Sequence, residues 1–297
     1  MRALVPSAVL VAVLALLATA VARPATGPSL EPYAGTGSWV SIYDTAAWND
    51  PLRVVSTLAA HGVHTLFLET SNYKQKVDVV RPAEMGVFLD AAHEAGLDVV
   101  GWYLPSLANP RRDLRRALAA VRFRSANGEA FDSVALDVES TKVRSVTRRN
   151  SRAVALATSL RRAAPASYAL GAITIAPVGK SPSYWPSYPY KRLAAAVDVF
   201  LPMEYFTART KGVAGVASYG AANVRDIRAA IGDPAYPMHP IAGEAADATP
   251  AEVAAFLDSV ATCDVVGTSL WEYGQTTRAQ WGKLASAGAS YAFRTAG

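Results

Sequence analysis

Phe131-Asp-Ser-Val-Ala-Leu-Asp-Val-Glu139 reads as a short buried strand that ends on two carboxylates, Asp137 and Glu139, with one residue between them. In an extended strand the side chains at i and i+2 share a face and lie roughly 6.5–7 Å apart along the chain. If the strand belongs to a closed parallel barrel, both acids point into the mouth of its pocket. There the charge of one raises the proton affinity of the other.

Strand and helix signals alternate on both sides of this stretch. The strands are predicted at 38–43, 63–68, 97–103, 133–138, 168–175, 197–203, 237–243 and 264–270. Helices follow Asp50-Pro51 and Pro110, run over 82–95 and 221–231, and end near Ala163-Ala164-Pro165. Shorter ones are predicted near 191–196 and 277–286, and Thr249-Pro250-Ala251-Glu252 is a helix cap with proline in the first turn. Repeated strand–helix units of this length predict an α/β fold, a single (β/α)8 TIM barrel. The doubly wound alternative needs a glycine-rich phosphate turn after the first strand, and Tyr43-Asp-Thr-Ala-Ala-Trp48 has no glycine.

The chain of 297 residues begins with an apolar run, Ala3 to Ala22, that offers small-residue cleavage sites at Ala18-Thr19-Ala20 and Ala20-Val21-Ala22. This predicts a signal peptide at 1–22, cut near Ala20–Ala22, in preference to a retained membrane anchor. The mature protein is then secreted and extracellular, with no stable membrane insertion. A flexible lead-in at 23–37, rich in Pro, Gly, Ser and Thr, precedes the barrel at 38–297. The single cysteine, Cys263, rules out an internal disulfide and reads as a small buried hydrophobe.

The net charge of +5 comes mainly from arginines on two helices, among them Arg115, Arg116, Arg148 and Arg149, at spacings that predict solvated faces. A nucleic-acid surface lacks interleaved aromatics here, so no nucleic-acid partner is expected, whereas weak attraction to anionic cell-envelope polymers suits the charge. A monomer is expected.

Reactive groups in such barrels lie just past the C-terminal ends of the strands. Those positions read Asp44, Glu69, Trp102-Tyr103, Asp137 with Glu139, Pro177, Glu204-Tyr205, Glu244, and Trp271-Glu272-Tyr273. None is a histidine, so a His-based zinc site or a Ser-His-Asp triad has no support. Magnesium or calcium sites also use several acids, but they have no need of Trp102 and Trp271, and neither metal nor cofactor is expected. Acids with tryptophan and tyrosine suit glycosidic cleavage, in which one acid protonates the leaving oxygen and one anion faces the developing positive charge. One or two of these acids are expected to cap helices instead. The loop Tyr184-Trp-Pro-Ser-Tyr-Pro-Tyr190 reads equally as a packed lid or a stacking platform, and Trp39, Trp48 and Trp281 read as core.

Asp132-Ser-Val-Ala-Leu-Asp-Val-Glu139 resembles the DxxDxDxE signature of family 18 chitinase-like glycoside hydrolases. The resemblance implies that Glu139 is the general acid and that Asp137 orients the substrate's N-acetyl group, whose oxygen attacks in place of an enzyme nucleophile. Met203-Glu-Tyr205 is similar to that family's Met-x-Tyr-Asp, and Trp271 to its strand-eight tryptophan. Ala135 stands where that family has its middle Asp, and Phe206 where it has the Asp after Tyr. Asp44, Asp137-x-Glu139 and Trp271-Glu-Tyr273 are similar instead to family 25 lysozyme-like hydrolases, which do not require the middle Asp.

The expectation is a secreted glycosidase acting on a polysaccharide that contains N-acetylhexosamine. Asp137 and Glu139 are its catalytic residues, and the other strand-end acids and aromatics bind substrate. The alternative is a non-catalytic carbohydrate-binding barrel with a degenerate site.

Overall fold

The computed structural model describes residues 27–180 and 183–295. The segment read as a signal peptide lies outside these residues. Eight parallel strands close into one barrel in sequence order. They are β1 Gly35–Val40, β2 Thr65–Asn72, β3 Asp98–Leu104, β4 Ser133–Asp137, β5 Leu170–Ile175, β6 Val199–Met203, β7 Ile241–Glu244 and β8 Gly267–Trp271. The helices are α1 Thr45–Asn49, α2 Pro51–Ala60, α3 Pro82–Glu94, α4 Pro110–Arg122, α5 Val146–Ala163, α6 Tyr190–Ala194, α7 Val213–Ile231, α8 Pro250–Ala261 and α9 Arg278–Thr295.

The barrel closes where Gly35 of β1 pairs with Gly267 of β8. A Cβ on Gly267 would come within 2.4 Å of the carbonyl oxygens of Gly35 and Tyr33, so only glycine fits this seam. Helix starts follow the predicted chemistry. Asp50 and Asn109 each accept a backbone N–H ahead of an N-terminal proline, and Thr249 and Glu252 form a reciprocal capping box.

The first strand begins at Gly35 and not at residue 38, and the second runs on to Asn72. Part of the stretch read as a lead-in is ordered against the barrel. Glu31–Tyr33 form a 3-10 turn, and the fully buried Tyr33 ring closes the bottom of the barrel, with its hydroxyl 2.6 Å from Ser133 Oγ. Burying a side chain of this size is worth roughly 2–3 kcal/mol and helps to hold the turn in place.

Alternation along the strands sends one set of side chains into the barrel and the other outward to the helices. Trp39, Phe67, Val100, Trp102, Ala135, Ile173, Leu201 and Ile241 form the inner cluster. Val40, Leu68, Tyr103, Leu136 and Leu270 join the larger outer one.

Two of the arginines expected on solvated faces are buried. Arg116 donates to the carbonyls of Asn72 (2.6 Å) and Gln75 (2.5 Å), pinning the chain just past β2. Arg149 lies 4.0 Å over the Trp185 ring. That ring belongs to the aromatic loop that precedes the short α6. Trp185 donates to Asn150 Oδ1, while the Tyr188 and Tyr190 hydroxyls donate to the carbonyls of Val138 and Ile175. The loop is therefore a packed lid, and only Tyr184 is left exposed as a surface for stacking. Trp48 and Trp281 are buried core, as expected.

At the opposite end of the barrel, Asp132 accepts Val99 N–H and lies 3.0 Å from His93 Nε2, whose Nδ1 is 2.6 Å from Glu129. Asp132, the first residue of the signature, is thus a clamp at the foot of β4. It and Glu129 push His93 up to about 9 against the opposing effect of burial. A histidine raised in the fold stabilises fully below its unfolded value of about 6.5, and that contribution is lost as pH rises through about 9. Because Glu129 is half exposed, His93→Ala is expected to cost about 1 kcal/mol at pH 6. Urea unfolding of both proteins should show a smaller gap at pH 10.

Candidate active site

At the C-terminal end of the barrel a cavity of about 410 Å³ opens between the strand ends. Its floor is aromatic. Trp39, Trp102 and Trp271 stand with all three pairs of ring centroids 5.9 Å apart, and Trp39 stacks on Phe67 below at 4.2 Å. Trp39 donates to Ser269 Oγ. The sequence reading left Trp39 in the core. It is buried, but it sits two residues before Ser41 on the inward parity of β1, and both line the cavity.

Along β4 the inward positions are Ser133, Ala135 and Asp137, followed by Glu139, while Val134 and Leu136 face the helices. Asp137 and Glu139 both line the cavity, as the spacing predicted. Burial raises Asp137 well above the ordinary carboxylate range, and the charges of Glu139 and Glu69 add to this. Burial raises Glu139 as well, with Lys180 and Lys74 pulling it back. Ala135 lies fully buried in the inner cluster, one inward position below Asp137.

Glu69 faces Asp137 from β2. Its carboxylate accepts Ile42 N–H at 2.9 Å and Asn72 Nδ2 at 3.0 Å, and burial pushes it up to about 7. Glu272 also lines the cavity and is raised, by burial first. Among the described residues, Asp137 Oδ1, Trp102 Nε1 and Glu272 Oε2 are buried with no hydrogen-bond partner. Unpartnered polar atoms at the floor of one cavity are what a polar ligand would satisfy. Tyr205 closes the wall beside Trp271, with ring centroids 6.4 Å apart.

Other predicted site residues lie elsewhere. Asp44 caps α1 by accepting Ala47 N–H, and Gly274 packs against its carboxylate. Tyr103 takes the outward parity of β3, where its hydroxyl donates to Asp113. Glu204 falls between the inward Met203 and Tyr205 and is fully buried outside the cavity. Phe206 packs on Phe256 in the outer core, and Tyr273 packs on Trp281. Glu244 is solvent-exposed and does not line the cavity.

Sequence reasoning missed Ser41, Tyr43, Asn72, Lys74, Ile173 and Ile241, all of which line the cavity. The parity of β1 was the available signal for Ser41. Asn72 and Lys74 sit on the polar continuation of β2, which carries no periodic pattern.

Among the described residues, no group of three or more His, Cys, Asp or Glu side chains is arranged to hold a metal ion, and no helix is long and apolar enough to cross a membrane.

Fold and site together define a (β/α)8 barrel with an acid-lined, tryptophan-floored cavity. No family model matches the chain, and no curated protein matches it in sequence. Solved structures do match in fold. An endo-1,4-beta-mannanase from Rhizomucor miehei is 11% identical, with a TM-score of 0.69 over 90% of this chain and 98% of that one. A chitinase from Chromobacterium violaceum is 14% identical, with a TM-score of 0.62 over 86% of this chain and 99% of that one. The spore cortex-lytic enzyme SleL of Bacillus cereus is 8% identical, with a TM-score of 0.63 over 86% of this chain and 74% of that one. The chain shares the barrel fold of these proteins.

Proposed function

We propose that this protein is a secreted glycoside hydrolase that cleaves a polysaccharide containing N-acetylhexosamine, with Glu139 as its general acid. The observation that carries the reading is the β4 pair. Two acids of raised proton affinity converge on one cavity, above three tryptophan rings.

Glu139 gives its proton to the glycosidic oxygen as the bond to the anomeric carbon breaks. The acetamide oxygen of the same sugar, oriented by Asp137 and Tyr205, forms the new bond to that carbon. A water then opens the ring so formed and returns a proton to Glu139. The tryptophan faces support the apolar faces of the sugar, and Trp102 Nε1 is free to donate to a sugar oxygen. Fold likeness to glycoside hydrolases supports the class of reaction.

Incubating the secreted protein with chitin, peptidoglycan and mannan, and analysing the soluble products by mass spectrometry, tests this. New reducing ends from a substrate containing N-acetylhexosamine are expected. Ala135 favours the second reading, a carbohydrate-binding barrel without turnover. That reading requires glycan binding that survives Glu139→Ala, with no product from the wild type.

The missing middle acid bears on pH. Above about pH 7, where Glu69 is itself ionised, its charge beside Asp137 helps the coupled pair keep its proton. In Glu69→Gln that charge is gone, so the pair loses its proton at lower pH. The alkaline limb of the kcat/KM profile is expected to move down by about 1 pH unit. An unmoved or raised limb contradicts this role.

A further inference from the structure

A smaller cavity of about 110 Å³ adjoins the main one, sharing Glu139, Met203 and Tyr205 with it. Its remaining wall carries Lys180, Arg209 and Tyr219. It is about a quarter of the size of the main cavity, which suits a small charged substituent better than a second sugar ring.

The two cations are brought together by the backbone. Gly179 sits in the left-handed region (φ +68°), and the Arg209 stem packs where its Cβ would be, with Cδ at 3.3 Å. The Lys180 ammonium is held 4.0 Å over the Tyr184 ring. Among the described residues, neither Lys180 nor Arg209 forms an ion pair with a carboxylate. Burial first, and then the neighbouring Arg209, lower the proton affinity of Lys180. Glu139 is the acid on their wall, and it is neutral whenever it is ready to donate its proton. Arg209 is solvent-exposed and Lys180 partly so, which leaves both reachable by an anion from outside.

We infer that this side pocket binds the carboxylate of an acidic sugar next to the cleaved bond, so that the substrate is an anionic glycan. This rests on the glycosidase reading and goes further, since an acidic substituent offers Lys180 and Arg209 a counter-charge that a neutral polymer lacks. Arginine takes a carboxylate in a two-bonded fork, and lysine adds a point charge.

The carboxylate has two sources to separate, a uronic acid and the lactyl ether of a peptide-free cell-wall strand. Calorimetry on Glu139→Gln would use four probes of matched length: an N-acetylglucosamine hexamer, a hexamer alternating glucuronate with N-acetylglucosamine, the same hexamer with its carboxyls reduced to alcohols, and a peptide-free peptidoglycan glycan strand. At least one acidic probe is expected to bind about tenfold more tightly than the neutral hexamer, equivalent to about 1.4 kcal/mol. Which acidic probe does so identifies the source. Reducing the carboxyls should abolish the preference in the protein that keeps Lys180 and Arg209. In the Lys180→Met/Arg209→Met double variant, the ratio of acidic to neutral affinity should fall to near one.

Acidic probes that bind no better than the neutral one overturn the inference and leave the glycosidase reading standing. A preference that survives the double variant overturns it too. If no probe binds at all, the glycosidase reading fails and the inference fails with it.

Discussion

Glu139→Gln is expected to lower kcat by about 10³-fold or more while changing oligosaccharide affinity little. General-acid assistance is worth roughly 10²–10⁴-fold, and an amide has no proton to give the leaving oxygen. The variant keeps the shape of the cavity. The tryptophan floor proposed to support the sugar is also untouched, because Trp39, Trp102 and Trp271 are braced against one another and Trp39 against Phe67. The loss therefore falls on kcat, as it should for a group that acts only in the transition state. Calorimetry with an uncut oligosaccharide, beside initial rates for the wild type, separates the two parameters. A variant that retains more than about a tenth of wild-type kcat removes Glu139 from the acid's role.

Glu204→Met is expected to stabilise the protein by about 3 kcal/mol at pH 8 and by clearly less at pH 4. Glu204 is fully buried, both its oxygens lack hydrogen-bond partners among the described residues, and burial raises it well above its ordinary value. The sign follows from proton linkage. Between the unfolded value of about 4.3 and the raised folded value, the native state binds the extra proton, so stability falls as pH rises. Methionine has nearly the same volume and has neither a proton to lose nor a polar atom to orphan. Urea unfolding of both proteins at pH 4 and pH 8 reads the two gaps. A gap that does not grow with pH, or a destabilised variant, contradicts this view of Glu204.

The barrel was legible because each strand is apolar and most helices carry their own start signals, such as the Asn109-Pro110 and Thr249-Pro250 caps. The β4 pair was legible for a simpler reason. Period-two alternation places Asp137 and Glu139 together wherever the strand happens to end. The same rule shows why Glu204 and Tyr103 were misplaced. Each stands one residue from a true inward position, Tyr205 and Trp102, and one residue reverses the face. Asp44 went to helix capping, which a strand-end position alone does not distinguish from catalysis. Lys74, Lys180 and Arg209 lie on irregular segments after β2, β5 and β6, where side-chain direction depends on turns such as Gly179 and not on any repeat.

The most direct test is to incubate wild type and Glu139→Gln side by side with N-acetylglucosamine oligomers and with oligomers alternating glucuronate and N-acetylglucosamine, then read product masses. The β4 pair as the catalytic centre predicts shortened oligomers from the wild type in at least one set and intact oligomers from the variant. Equal cleavage by both proteins, or intact oligomers in both sets from the wild type, would contradict it.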